Sequence, residues 1–174
     1  KRAKKEIFTP ANREEARRVA AETFVLLKNN DNLLPLKKTG RIALVGPLAN
    51  TASNMSGTWS VAARLKENKT VVEAMREALA GKAEVVYAKG SNLMYDAQRE
   101  ADATMFGRDM RDPRSAKEML DEAVAVAKDA DVIVAAVGEA SEMSGECSSR
   151  SNLDMPDAQR DMLLELKKLG EPIV

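Results

Sequence analysis

The chain is predicted to be an α/β protein: a mostly parallel, doubly wound sheet flanked by helices, a three-layer α/β/α sandwich of flavodoxin-like type. Two observations predict it. Short apolar runs alternate along the chain with segments of helical period, the pattern that builds a parallel sheet. One of those runs, Val132-Ile133-Val134-Ala135-Ala136-Val137, is apolar at every position, as a strand covered on both faces is.

The elements follow in order. Residues Asn12–Asn29 read as a helix, because Asn12 and Glu15 have capping-box spacing and Ala16, Val19, Ala20, Thr23, Phe24 and Leu27 share one face. Asn29-Asn30-Asp31-Asn32 breaks it. An extended Leu33-Leu34-Pro35-Leu36 leads to a short strand, Arg41–Val45, and then to the turn Gly46-Pro47-Leu48-Ala49-Asn50. That turn lacks both the G-x-G-x-x-G pattern and the Walker lysine, so it reads as a turn and not as a phosphate cradle. A loop rich in Ser, Thr and Asn runs to Trp59. Thr70–Ala80 is helical with Val71, Val72, Met75 and Leu79 inward, and Gly81 ends it. Glu84–Ala88 is the next strand, and Gly90–Asp112 is a long polar excursion without a clear period. Ser115 and Glu118 open a further helix with Met119, Ala123, Val126 and Ala127 inward. After the apolar strand, Asp157–Gly170 is a helix with Met162, Leu163, Leu166 and Leu169 inward. Pro172-Ile173-Val174 has the character of a strand beginning, so the sandwich is expected to be truncated at its C-terminus.

Composition narrows the chemistry. Lys+Arg and Asp+Glu are both 27, which gives no net charge to attract nucleic acid or an anionic membrane. No apolar stretch approaches membrane-spanning length. The basic start, Lys1-Arg2-Ala3-Lys4-Lys5, reads as a solvated linker. There is no histidine and one cysteine, so no metal site of the usual zinc type, no internal disulfide and no histidine-based triad can be built within the chain. No cofactor motif is present. Acid–base work falls to carboxylates, Lys or Tyr. Cys147 has no histidine to activate it and reads as a small neutral filler.

The best candidate for chemistry is the loop Gly138-Glu-Ala-Ser-Glu-Met-Ser-Gly-Glu-Cys-Ser-Ser-Arg150. It leaves the C-terminal end of the apolar strand, where open α/β sheets place their ligand sites. It carries Glu139, Glu142 and Glu146, and residue types alone do not separate catalytic carboxylates from solvated ones. Trp59 is equally consistent with a core plug and with a platform for a sugar ring.

Several segments, taken in order, resemble the second domain of glycoside hydrolase family 3. They are Glu22-Thr-Phe-Val-Leu-Leu-Lys-Asn29, Leu34-Pro35-Leu36, Ile42-Ala-Leu-Val-Gly-Pro-Leu-Ala49, Gly57-Thr58-Trp59-Ser60, Tyr87-Ala88-Lys89-Gly90, Ser144-Gly145-Glu146 through Arg150, and Leu153-Asp154-Met155-Pro156. The resemblance covers nearly the whole chain and is nearest to the bacterial periplasmic beta-glucosidases. It implies an N-terminal (β/α)8-type barrel bearing the aspartate nucleophile, with residues 1–11 as the linker from it. Residues 12–174 would then be the α/β sandwich that covers the barrel mouth.

The resemblance also implies that Glu146, in the position of the family's Ser-Gly-Glu-Gly-type loop, is the general acid/base. It makes Trp59 and Arg150 substrate-binding candidates. After the glutamate the family often continues Gly-x-Asp-Arg; here Cys147-Ser148-Ser149-Arg150 keeps only the arginine. Some plant members carry a second tryptophan four residues after the first, and that position is Ala63 here. The implied partners are a beta-glucoside or oligosaccharide substrate and the barrel of the same enzyme, with no nucleic acid and no membrane. The implied location is periplasmic or secreted. Retaining hydrolysis needs a nucleophilic carboxylate and a protonated one about 5–5.5 Å apart. The protonated one needs burial or a neighbouring negative charge to hold its proton near neutral pH, and contact with a barrel supplies both. The chain by itself is therefore expected to be inactive. The competing expectation is a non-catalytic interaction domain whose carboxylates are structural.

Overall fold

The structure is a computed structural model that describes residues 6–60, 63–103, 111–146 and 148–174. Lys1–Lys5, Cys147 and part of the Gly90–Asp112 excursion lie outside the described residues. The chain forms two compact units, residues 1–37 and 38–174.

In the first unit, α1 spans Pro10–Glu22. This corrects the predicted Asn12–Asn29. The start is set by Thr9, whose hydroxyl accepts from the Asn12 N–H at 3.2 Å, and by Pro10, whose fixed φ suits a first helical turn. The end is set by Thr23, whose hydroxyl and N–H both turn back to the Ala20 carbonyl. Phe24, Val25, Leu26 and Leu27 therefore leave the helix, and no residue of α1 is buried. Arg17–Glu14 and Arg18–Glu15 pairs line its exposed surface at 2.9 and 2.7 Å. The Asn29 side chain closes the following turn on both the N–H and the carbonyl of Leu34.

The second unit is the predicted α/β sandwich. Its strands are β1 (Gly40–Val45), β2 (Ala83–Ala88) and β3 (Val132–Ala135). They are all parallel, in the order β2-β1-β3. Ile173 bridges Ile133 in parallel, so β3 has neighbours on both sides and Pro172–Val174 begins a fourth line of pairing. β3 is shorter than the apolar run suggests, and its outer half is only half-buried. Ala136 extends the pairing, its N–H donating to the Val45 carbonyl at 2.8 Å.

Successive β1 side chains point to opposite faces. Ala43 and Val45 face α4 (Ala116–Ala127) and α5 (Asp157–Lys167), in a core with Ala123, Ala127, Ile133, Met162 and Leu166. Leu44 faces the other way, onto Val72 of α2 (Val71–Ala78). Helices thus cover both faces of the sheet. The predicted inward sets of these three helices are all buried or packed against these cores.

The excursion after β2 holds a helix that the sequence pattern does not show, α3 (Ala97–Ala103). Its inward residues include Glu100, a carboxylate 3% exposed that pairs with Arg111. Arg111 also donates to the Met94 and Tyr95 carbonyls at 2.9 and 3.1 Å. Asn92 and Asp112 exchange two hydrogen bonds across the base of the excursion.

Both α2 and α4 start with full capping boxes, Thr70 with Glu73 and Ser115 with Glu118. Thr70→Ala removes the acceptor for the Glu73 N–H. The loss expected is about 1 kcal/mol, read as a lower midpoint in urea with an unchanged slope.

Candidate active site

In register, Val45 lies beside Ala88 and beside Ala135, so all three strands end at one edge of the sheet. The loops that follow, residues 46–60, 89–96 and 136–150, emerge together there. Open α/β sheets bind ligands at this edge.

The acidic loop is held at several points. At its base, the Gly138 N–H donates to Gln159 Oε1 at 2.8 Å, and Gln159 Nε2 donates to the Gly138 carbonyl at 2.8 Å. Arg150 pairs with Glu139 and donates to the Asp154 carbonyl at 2.7 Å, tying the two ends of the loop. This pair is partly exposed, so it shapes the loop more than it stabilises the fold. In the middle, Asn54 Oδ1 accepts from the Ser141 N–H at 2.9 Å, and Thr58 Oγ1 donates to Glu142 Oε2 at 3.2 Å. Ser148 Oγ donates to the Glu142 carbonyl at 2.8 Å.

These ties bring together two loops that lie far apart in sequence. Gly145 sits against Thr58 so closely that a Cβ on it would come within 2.5 Å of the Thr58 methyl. The residues immediately before Glu146 and Trp59 are therefore in contact.

The three carboxylates have different fates. Glu139 is paired with Arg150, and Glu142 accepts from Thr58 and Ser141. Glu146 lies exposed, and among the described residues no hydrogen bond or ion pair engages its carboxylate. Trp59 is 68% exposed, so of the two readings open from sequence it is not a core plug. Arg150 is committed to Glu139 and Asp154. It also lines a groove of about 620 Å³ with Met94, Arg99, Glu142, Ser148 and Asp157, which neither Glu146 nor Trp59 lines.

Neighbouring groups are electrostatically set. Hydrogen bonds from the Arg114 guanidinium and N–H hold the Asp112 carboxyl down at about 2, so it is ionised throughout the ordinary pH range. Burial, then the Asp161 carboxylate that its hydroxyl touches, push the Tyr95 phenol up. Among the described residues no group of three or more His, Cys, Asp or Glu is placed to hold a metal ion. None of their helices is long and apolar enough to cross a membrane.

A profile of the Glycosyl hydrolase family 3 C-terminal domain matches residues 24–174. The chain belongs to this family. The family 3 domain is 44% identical over 164 residues to a periplasmic beta-glucosidase of Salmonella typhimurium, covering 94% of this chain and 21% of that one. It is 32% identical over 169 residues to a probable exo-1,4-beta-xylosidase of Aspergillus fumigatus, covering 97% of this chain and 19% of the relative. Its fold matches the crystal structure of a beta-glucosidase from Listeria innocua in complex with glucose with a TM-score of 0.75 at 31% identity, over 97% of this chain and 20% of that one. The family 3 domain thus spans about a fifth of the length of these relatives.

Gln159 escapes the sequence reading, although a signal exists. It lies three and seven residues before Met162 and Leu166, so it is a polar residue on the buried stripe of α5. Asn54 and Thr58 carry no such local signal, because their partners are 87 and 84 residues away.

Proposed function

We propose that this chain is the second domain of a beta-glucosidase-type retaining glycosidase, in which it supplies the general acid/base, Glu146, and covers the sugar site of an N-terminal barrel. The observation that carries the reading is the division of labour in the acidic loop. Two of its glutamates are spent on the loop's own structure, and the third stands free and exposed. A carboxylate that must reach a sugar bound on another domain has to be presented in this way. Trp59, exposed beside that loop, supplies an apolar face next to the acid. Arg150 acts by holding the loop closed at its ends. The substrate is a beta-glucoside or a short oligosaccharide, and the periplasmic relative supports a location outside the cytoplasm.

In this reading the barrel bears the nucleophile, so the 174-residue chain should not turn over an aryl beta-glucoside. Mixing it with the separately produced barrel of the same enzyme should restore turnover, and Glu146→Gln should cut the restored rate. Robust hydrolysis by the chain alone would sink the proposal. Association with the barrel that restores activity regardless of Glu146 would favour a non-catalytic covering domain instead.

A further inference from the structure

Gln159 is a polar side chain with no solvent exposure, in the first turn of α5 at the edge of the sheet where the strands end. Its amide makes three hydrogen bonds, all to backbone: Oε1 accepts from the Gly138 N–H at 2.8 Å, and Nε2 donates to the carbonyls of Gly138 at 2.8 Å and Leu93 at 3.0 Å. The side chain thus pairs with Gly138 as a neighbouring strand residue would, N–H to O and O to H–N. It does so just past the end of β3, where Ala136 makes the last hydrogen bond to β1. The third bond reaches the loop after β2. One side chain on a rigid helix therefore joins the two loops that leave β2 and β3.

We infer that Gln159 is the positioning residue for the acidic loop. This rests on the reading of Glu146 as the acid, and Gln159 acts through the loop without touching substrate. The physical reason is the cost of the alternative. Removing the amide strands the Gly138 N–H and carbonyl, which are part-buried, and the Leu93 carbonyl, which is buried, and each then seeks another partner. The simplest relief is for Gly138 to turn toward solvent, which swings everything attached to it. Glu146 lies eight positions after Gly138, so a small rotation at the base displaces the carboxylate by ångströms. Misplacement of a reacting group by about 1 Å can cost about 100-fold in rate. The remaining ties, through Asn54, Thr58 and Arg150, limit the swing but do not replace the base.

The test uses Gln159→Met, which keeps the volume and removes all three bonds, and Gln159→Glu, which keeps an oxygen for the Gly138 N–H and loses the donors. In the full-length enzyme, kcat/KM for an alkyl beta-glucoside should fall about 10–100-fold in Gln159→Met, while that for an activated aryl glucoside stays within about 3-fold. Gln159→Glu should fall between wild type and Gln159→Met. Hydrogen exchange in the same proteins should rise across residues 138–146 and stay unchanged in β1. Equal loss on both substrates while Glu146→Gln keeps its dependence on leaving group, or exchange that rises equally in β1, would make Gln159 a residue of the general core and overturn the proposal. Unchanged exchange at 138–146 in a folded variant overturns it too, as does failure of both variants to fold. Glu146→Gln, run alongside, separates the two ideas. If it shows no dependence on leaving group while Gln159→Met still loosens 138–146, the acid assignment fails and the loop-positioning role stands.

Discussion

Glu146→Gln in the full-length enzyme should lower kcat/KM for an alkyl beta-glucoside by about 10²–10⁴-fold, the range that general acid catalysis supplies. Glutamine matches glutamate in shape and can still donate a hydrogen bond, but it has no proton to give up. An alkoxide leaves poorly without that proton. A nitrophenolate leaves as a stable anion, so kcat/KM for an activated aryl glucoside should change far less, by about 10-fold at most. The same residue acts as base when water attacks the glycosyl-enzyme. With the aryl substrate kcat should therefore fall even where kcat/KM does not, because the intermediate accumulates. Azide needs no base to attack, and adding it should restore kcat. Glu139→Gln and Glu142→Gln are the controls. Those carboxylates tie the loop through Arg150 and Thr58, so their loss acts only through the position of Glu146 and should give a far smaller dependence on leaving group, with no rescue by azide. A leaving-group dependence that followed Glu142 rather than Glu146 would move the acid to the residue that borders the groove.

How far this site is legible in the sequence depends on the range of the interactions that build it. The strands and the helices α2, α4 and α5 follow from local pattern, because an apolar run or stripe, joined in α2 and α4 by a capping box, lies within a few residues of sequence. Helix α1 shows where local pattern misleads. Asn12 and Glu15 have capping spacing, yet Thr9 with Pro10 sets the start, and Phe24–Leu27 continue the apolar period after Thr23 has ended the helix. Helix α3 is hidden because its inward face includes Glu100, a charge made compatible with burial by partners outside the helix, among them Arg111 eleven residues later and the Met94 N–H. The acidic loop is visible as a loop at a strand end, but not the separate fates of its glutamates. Those fates depend on Thr58, 84 residues from Glu142, and on Arg150, 11 residues from Glu139. The family resemblance points to Glu146; the engagement of the other two supplies a physical reason for the same choice.

The second large effect is expected at the other side of this sheet edge, in Gly46→Ala. Gly46 has a φ of +113°, a region that side-chain-bearing residues rarely adopt. A Cβ placed there would lie 2.3 Å from the Ala136 carbonyl oxygen and 2.9 Å from its carbon. Both atoms are backbone, so no rotamer change relieves the clash. Gly145 differs, since the atom in its way is a methyl on Thr58 in a loop that can give. At Gly46 the ends of β1 and β3 must move apart. That movement breaks the Ala136 N–H bond to Val45 at 2.8 Å and the Leu48 N–H bond to Ala136 at 3.3 Å. Backbone strain of about 1–3 kcal/mol adds to these losses, and a total of about 3–5 kcal/mol is expected. For a chain of this length each kcal/mol lowers the melting temperature by about 2–4 °C, so a drop of about 6–20 °C should appear in a thermal scan. Leu48 also packs over Gly138, its Cδ1 lying 3.6 Å from where a Cβ on Gly138 would be, so the displacement carries to the base of the acidic loop. Any folded Gly46→Ala enzyme should accordingly lose activity on alkyl glucosides at temperatures well below its melting point. A Gly46→Ala protein with unchanged melting temperature would mean that the two strand ends are not clasped as the hydrogen bonds at Ala136 require.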